Sequence, residues 1–175
     1  RSPIRVRMRI VLASTSRHRR MLLDRAGIVY EAMAPECDER LEKDLPPPEA
    51  TLELAVRKAR SVASCVGGDL VVGSDQMAVL NGRILHKPGT EMRAVEQLMQ
   101  LAGRTHELWT AVALLDTREN GGLQTHAQVH RLTMRAMDEG QARAYVRADD
   151  PLDCAGSYRF ESRGVRLFEK VVGED

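Results

Sequence analysis

The sequence predicts an α/β fold with a mixed sheet, and three observations carry that prediction. Short apolar strand patterns alternate with helical patterns along the whole chain. Asn-Gly and Gly-Gly turn signals join neighbouring strands as hairpins, which require antiparallel pairs. No internal repeat or low-complexity tract breaks the alternation.

The elements follow in order. Ile4, Val6, Met8 and Ile10 alternate with arginine and lead into Val11 and Leu12, a first strand. A helix follows over residues 16–26, with Ser14 or Ser16 as its N-cap and Gly27 as its stop. Residues 29–33 form a second strand, and the polar, Pro-rich stretch 35–49 reads as a loop.

In residues 49–63, Leu52, Ala55, Val56, Ala59, Val62 and Ala63 keep helical spacing, and Gly67-Gly68 ends the helix. Residues 70–72 open a buried strand that ends at the polar run Gly73-Ser74-Asp75-Gln76. Asn81-Gly82 then makes a two-residue hairpin that returns the chain toward Lys87. A third helix spans 91–102 and is closed by Gly103. Strands at 107–115 and 124–134 flank the Asn120-Gly121-Gly122 turn. Asp138 and Gln141 form a capping box for a helix reaching Val146, and residues 166–172 are a last strand.

At 175 residues the chain fits one domain, or one domain with two lobes, and buries about two-thirds of its unfolded surface. Aromatic residues make up only 3%, so aliphatic side chains must fill the core. The net charge of +1 provides no global field for nucleic acid, so any anion binding must be local. Cys37, Cys65 and Cys154 are far apart and odd in number, which argues against a zinc site or disulfide framework and fits a reducing cytoplasm. No apolar run approaches the roughly eighteen residues of a membrane helix, and the arginines in the N-terminal stretch argue against a signal peptide.

Four features could carry chemistry. Arg17, His18, Arg19 and Arg20 crowd the start of the first helix, where cations oppose the helix dipole. An anion held by backbone N–H groups and arginine forks explains them; a solvated helix start is the alternative. Asp75 stands at the end of a buried strand and needs a partner. Lys87 could supply it, or a divalent cation such as Mg²⁺, and the carboxylate could also align or deprotonate a water. Lys58 lies at the margin of its helix's apolar stripe, where it either snorkels or points into a cleft. Glu36 is one of several acidic residues in a loop, and spacing does not single it out. Together these features point to a phosphorylated ligand with a metal.

In this order, the segments ASTSRHRRMLL, APECDE, ELAVRKA, VVGSDQMAVLNGRILHKP, LAGRTHELWTAVAL and PLDCAGSYRFESRGVRLFEKVVGED resemble the Maf family of nucleotide pyrophosphatases. The resemblance covers nearly the whole chain. It implies an elongated, twisted mixed sheet flanked by helices, with a central cleft between two lobes, as in inosine-triphosphate pyrophosphatases. It also implies hydrolysis of a nucleoside triphosphate between the α- and β-phosphates with Mg²⁺ or Mn²⁺, in a cytoplasmic and often homodimeric protein.

Carried onto this chain, the resemblance makes Asp75 the metal ligand and base, and Glu36 a second acid at the metal. Lys58 and Lys87 face the phosphates, and Ser14, Arg19 and Arg20 form the phosphate-binding helix start. A single domain over residues 1–175 is implied, with the family's further loop, Gly-Leu-Pro segment and last helix absent after Asp175.

Specificity is read within the same resemblance. The branch acting on dTTP and UTP reads Ala-Asp-Thr at the catalytic strand, whereas this chain reads Ser74-Asp75-Gln76. Glu161 stands where that branch has glutamine. Both features resemble the branch that hydrolyses 7-methyl-GTP. A carboxylate can accept from guanine's N1–H and 2-amino group together, and it favours the positive charge of a 7-methylated base. His18, where that branch can carry tryptophan, could stack on the base. The alternatives are the dTTP/UTP specificity and a nucleotide-binding regulator of cell division without turnover.

Overall fold

The computed structural model describes residues 8–41 and 45–173. Ile4 and Val6 of the expected first strand lie outside the described residues. The described residues form four helices and a seven-stranded mixed sheet, the predicted α/β fold. The strands are β1 (Ile10–Ala13), β2 (Glu31–Met33), β3 (Leu70–Leu80), β4 (Arg83–Leu85), β5 (Thr105–Asp116), β6 (Leu123–Met134) and β7 (Phe168–Gly173), in the order β2-β1-β3-β5-β6-β7 with β4 paired to β3. The described residues divide into two compact units. One comprises the described residues within 8–75 and 111–127, the other those within 76–110 and 128–173.

In the first unit, β1 (Ile10–Ala13) pairs in parallel with both β2 (Glu31–Met33) and the start of β3 (Leu70–Leu80). Helix α1 (Arg17–Arg25) follows β1 after a three-residue turn. It stops at Gly27, whose φ of 68° is the left-handed conformation expected just beyond a helix end. Helix α2 (Pro47–Ala63) begins two residues earlier than the periodicity suggests, because prolines tolerate the first turn, where N–H groups lack helical partners. Its buried Ala55, Val56, Ala59 and Val62 pack with Val11, Ala13, Val71, Ala111 and Ala113.

The second unit holds the end of β3, β4 (Arg83–Leu85), α3 (Glu91–Leu101), the first half of β5 (Thr105–Asp116), the end of β6 (Leu123–Met134), α4 (Glu139–Asp149) and β7 (Phe168–Gly173). Asn81 (φ 50°) and Gly82 (φ 78°) form the predicted hairpin, with Leu80 opposite Arg83. The Asp138 side chain and Gln141 close the capping box on α4. Helix α4 runs three residues past Val146 and ends where Asp150 turns left-handed before buried Pro151. Leu98, Leu101, Leu132 and Met134 form the centre of this unit's core. Tyr158 and Phe168 add an edge-to-face ring pair 4.9 Å apart. A stretch with two 3-10 turns, Ala155–Ser157 and Arg163–Leu167, links α4 to β7.

One element departs from its sequence pattern. Strand β3 does not end at the polar run; it continues through Ser74 and Asp75 to Leu80, with both residues buried. Sequence patterning reads a polar run as a strand end because it sees no partners. Here Asp75 has one in α2.

Candidate active site

The site in the first unit is assembled by the close approach of α2 to β3. Gly73 and Asp75 lie on the same face of β3, since strand side chains alternate. A Cβ placed on Gly73 would stand 2.1 Å from Ala55 O, 2.7 Å from Ala59 N and 2.9 Å from Ala59 Cβ. Glycine at 73 and small residues at 55 and 59 therefore let the helix backbone sit directly on the strand. At that separation Lys58, between the two alanines in sequence, reaches the strand itself.

Lys58 is 7% exposed and Asp75 8% exposed. The lysine Nζ lies 2.5 Å from Asp75 Oδ1 and 3.0 Å from Glu39 Oε1. Lys58 does not snorkel: its ammonium is turned to Asp75 rather than extended into solvent. Burial pulls its pKa down, but the Asp75 and Glu39 carboxylates override that and hold it above the ordinary lysine value.

Glu39 is the residue that sequence reasoning missed. Arg57 fixes the loop that carries it, donating from Nη1 to the carbonyls of Asp38 (3.2 Å) and Arg40 (2.7 Å). Its Nε is held in turn by Glu53 at 2.8 Å, one helical turn away. Glu36, three residues upstream, is exposed and makes no ion pair among the described residues. Glu36, Asp38 and Glu39 look alike in sequence, and no local signal separates them. The choice is made by two carbonyls clamped from α2.

The turn from β1 into α1 supplies the next pieces. Ser16 is the N-cap, its Oγ accepting from Arg19 N at 3.5 Å. Ser14 is nearly fully buried; its Oγ accepts from Ser16 N at 3.0 Å and from Arg19 Nη1 at 3.4 Å. Arg19 is half-buried, and burial lowers its pKa while the charges of Asp75 and Glu39 oppose the shift. The structure thus gathers Ser14, Arg19, Glu39, Lys58 and Asp75. Of the remaining helix-start residues, His18 is half-buried and Arg20 exposed. Arg20 lines a shallow hollow of about 490 Å³ with Asp24, Ile28, Val29, Tyr30 and Ala32.

Cys37 belongs to the same neighbourhood. Burial raises its thiol pKa above the ordinary cysteine value, while the charge of Lys58 works against the shift.

The other sequence-predicted residues belong to the second unit. Gln76 is exposed and donates from Nε2 to Thr110 Oγ1 at 3.0 Å. Lys87 is exposed just after β4 and precedes the fully buried Pro88. Glu161 is exposed on the stretch between the two 3-10 turns.

The donors at Lys58 fit a hard divalent cation. Two carboxylates, one buried and one open to solvent, converge on one positive charge, and both offer oxygen. Among the described residues no group of three or more His, Cys, Asp or Glu side chains gathers, so a complete protein cage is missing. Mg²⁺ and Mn²⁺ suit such a partial shell, because phosphate oxygens and waters complete it.

The profile of the family described as Maf-like protein matches residues 9–175. The chain belongs to the Maf-like protein family. Its relatives in that family include proteins named 7-methyl-GTP pyrophosphatase. The one from Bdellovibrio bacteriovorus is 40% identical over 168 residues, covering 95% of this chain and 86% of the relative. That from Burkholderia lata is 39% identical over 170 residues (95% and 80%). That from Aromatoleum aromaticum is 40% identical over 167 residues (95% and 86%). Among solved structures, the Staphylococcus aureus Ham1 protein superposes with a TM-score of 0.52 at 14% identity, covering 72% of this chain and 71% of that one. The Maf-like chain therefore shares its fold with the Ham1 protein.

Proposed function

We propose that this Maf-like protein is a nucleoside triphosphate pyrophosphatase acting on a 7-methylguanine nucleotide. It hydrolyses the bond between the α- and β-phosphates to give the monophosphate and pyrophosphate. The observation that carries the reading is the buried Asp75, held by Lys58 beside Glu39 and Arg19. The names of its relatives at about 40% identity support the substrate.

Lys58 has three N–H donors; Asp75 and Glu39 take two, and the third is assigned to a phosphate oxygen. Arg19, anchored through Ser14 at the N-terminus of α1, faces the same phosphates with a planar fork. Arg20 and Lys87 add charge to the phosphate end. Asp75 aligns the water and takes its proton as the water oxygen bonds to phosphorus and the α–β bridging bond breaks. A bound Mg²⁺ or Mn²⁺ supplies neutralisation of the charge that develops on the phosphates. Asp75 would hold it, with a second acid from the same loop: Glu36 by family resemblance, Glu39 by its place against Lys58. Glu161 and Gln76 choose the base and His18 stacks on it. A cytoplasmic homodimer is part of the same proposal, and no helix among the described residues is long and apolar enough to cross a membrane.

The test is pyrophosphate release from 7-methyl-GTP, GTP, dTTP and UTP with Mg²⁺ and with Mn²⁺, repeated with Asp75→Asn. Fastest turnover is expected for 7-methyl-GTP. Asp75→Asn should still bind nucleotide while losing nearly all release. Faster hydrolysis of dTTP or UTP would overturn the base assignment. Undiminished release by Asp75→Asn would remove the catalytic role, and binding without any turnover would favour the regulator.

A further inference from the structure

The stretch that carries Glu161 is built against its own backbone preference. Gly156 has φ 75°, and Ser157 follows in the left-handed region at φ 62°, where residues with a side chain are uncommon. Such a residue persists only where its surroundings over-determine it. Ser157 is 0% exposed, its N–H donates to Cys154 O at 3.1 Å, and its Oγ donates to Gln97 Oε1 at 2.6 Å. A Cβ on Gly156 would come within 2.7 Å of the Tyr158 ring and 3.1 Å of Ala78 Cβ, so the turn is pressed onto β3.

Both flanks of Glu161 are tied as well. Arg159 N donates to Tyr145 OH at 2.9 Å, Tyr145 OH donates to Asp149 Oδ2 at 2.9 Å, and Ser162 Oγ donates to Asp149 Oδ1 at 2.7 Å. Asp149 is buried on α4, so this segment is fixed to a helix rather than left as a free loop.

The other end of Gln97 reaches the lysine segment. Its Nε2 donates to the carbonyl of His86, the residue before Lys87, at 2.8 Å. That carbonyl can only accept, which sets the amide orientation and leaves Oε1 for Ser157. A second tie runs in parallel: Gly89 N donates to Leu152 O at 3.0 Å.

We propose that Gln97 is a positioning residue: one amide on α3 joins the segment carrying Lys87 to the segment carrying Glu161. Phosphate binding and base recognition are thereby set by one half-buried side chain, and substrates are sorted by whether both ends register together. The inference rests on the function proposed above for Lys87 and Glu161, but its structural half needs no substrate.

The two halves of the amide can be removed separately. Gln97→Glu keeps an acceptor for Ser157 and sets a carboxylate against the His86 carbonyl. Ser157→Ala removes only the contact on the other side, and Gln97→Leu removes both. In the ligand-free protein, hydrogen exchange should rise about tenfold, the loss of one hydrogen bond, in residues 84–89 for Gln97→Glu and 155–162 for Ser157→Ala. Gln97→Leu should raise it in both, with β1 and α1 unchanged. Titrations should follow: Gln97→Glu weakens pyrophosphate binding about tenfold and Ser157→Ala weakens 7-methyl-GMP by a similar factor. Gln97→Leu should lower the kcat/KM preference for 7-methyl-GTP over GTP.

Exchange that rises equally throughout the protein, or only in 155–162 for every variant, overturns the coupling. A wild-type protein that turns over no nucleotide defeats the functional reading alone, because the exchange pattern still decides the role of Gln97.

Discussion

Replacing Lys58 with methionine keeps the side chain's length and removes its charge, leaving Asp75 buried against α2 without its cation. Removing one partner of a buried ion pair costs about 3–5 kcal/mol. The low end applies here, because the second carboxylate on Lys58, Glu39, is 54% exposed and loses little by returning to water. A loss of about 3 kcal/mol lowers the melting temperature by about 6–12 °C in a chain of this size. Asp75→Asn leaves Lys58 with Glu39 and an amide oxygen, so about 1–2 kcal/mol is expected. The double variant, with two neutral side chains facing each other, should be less destabilised than the sum by about 2 kcal/mol. Because Lys58 titrates above its ordinary value, the lysine's contribution is fully present below about pH 10.4 and fades only as pH rises through the folded value. The coupling should therefore be the same at pH 7 and pH 9. Guanidinium unfolding followed by circular dichroism measures all four corners of the cycle. If Lys58→Met stays within about 0.5 kcal/mol of the parent, or the two changes simply add, the pair does not hold the site together.

Three further outcomes follow from the same geometry. Gly73→Ala forces a methyl group onto the backbone of α2, so a loss of about 2–3 kcal/mol is expected in chemical denaturation. The fall in kcat should be larger than that loss of folded protein explains, since the helix that moves carries Lys58; an unchanged kcat refutes the contact. His106, 2% exposed and bonded through Nε2 to Tyr158 OH at 2.9 Å, is held by burial down to about 4. Its unfolded form binds a proton near pH 6.5, so stability is full above that pH and declines toward pH 4 by up to about 3 kcal/mol. His106→Gln should flatten that part of the pH–stability curve, and an unaltered slope would assign it to other groups. Finally, Glu39→Gln should weaken Mn²⁺ binding, followed by electron paramagnetic resonance without nucleotide, more than Glu36→Gln does. The reverse order would favour Glu36 as the second metal ligand.

What was legible in the sequence was local. Gly27 as a helix stop, Asn81-Gly82 as a hairpin and Asp138 with Gln141 as a capping box each depend on backbone conformation within a few residues. The helical spacing of Ala55, Ala59 and Val62 likewise announced which face of α2 is buried. Asp75, Ser14 and Arg19 could be named in advance because charged or polar residues beside a buried strand or at a helix start demand a partner, and Lys58 because it stands at the margin of an apolar stripe.

The sequence by itself therefore determined the α/β class and the order of elements, and it named Ser14, Arg19, Lys58 and Asp75 among its candidates. Only the tertiary structure decided that β3 runs on through Asp75, that Glu39 joins Lys58 while Glu36 stays exposed, and that Gln97 holds Ser157 to His86. The physical reason is common to all three. Propensity and periodicity are summed over neighbours in the chain, whereas a buried polar group is satisfied by whatever folding brings within about 3 Å, and its partner lies many residues away.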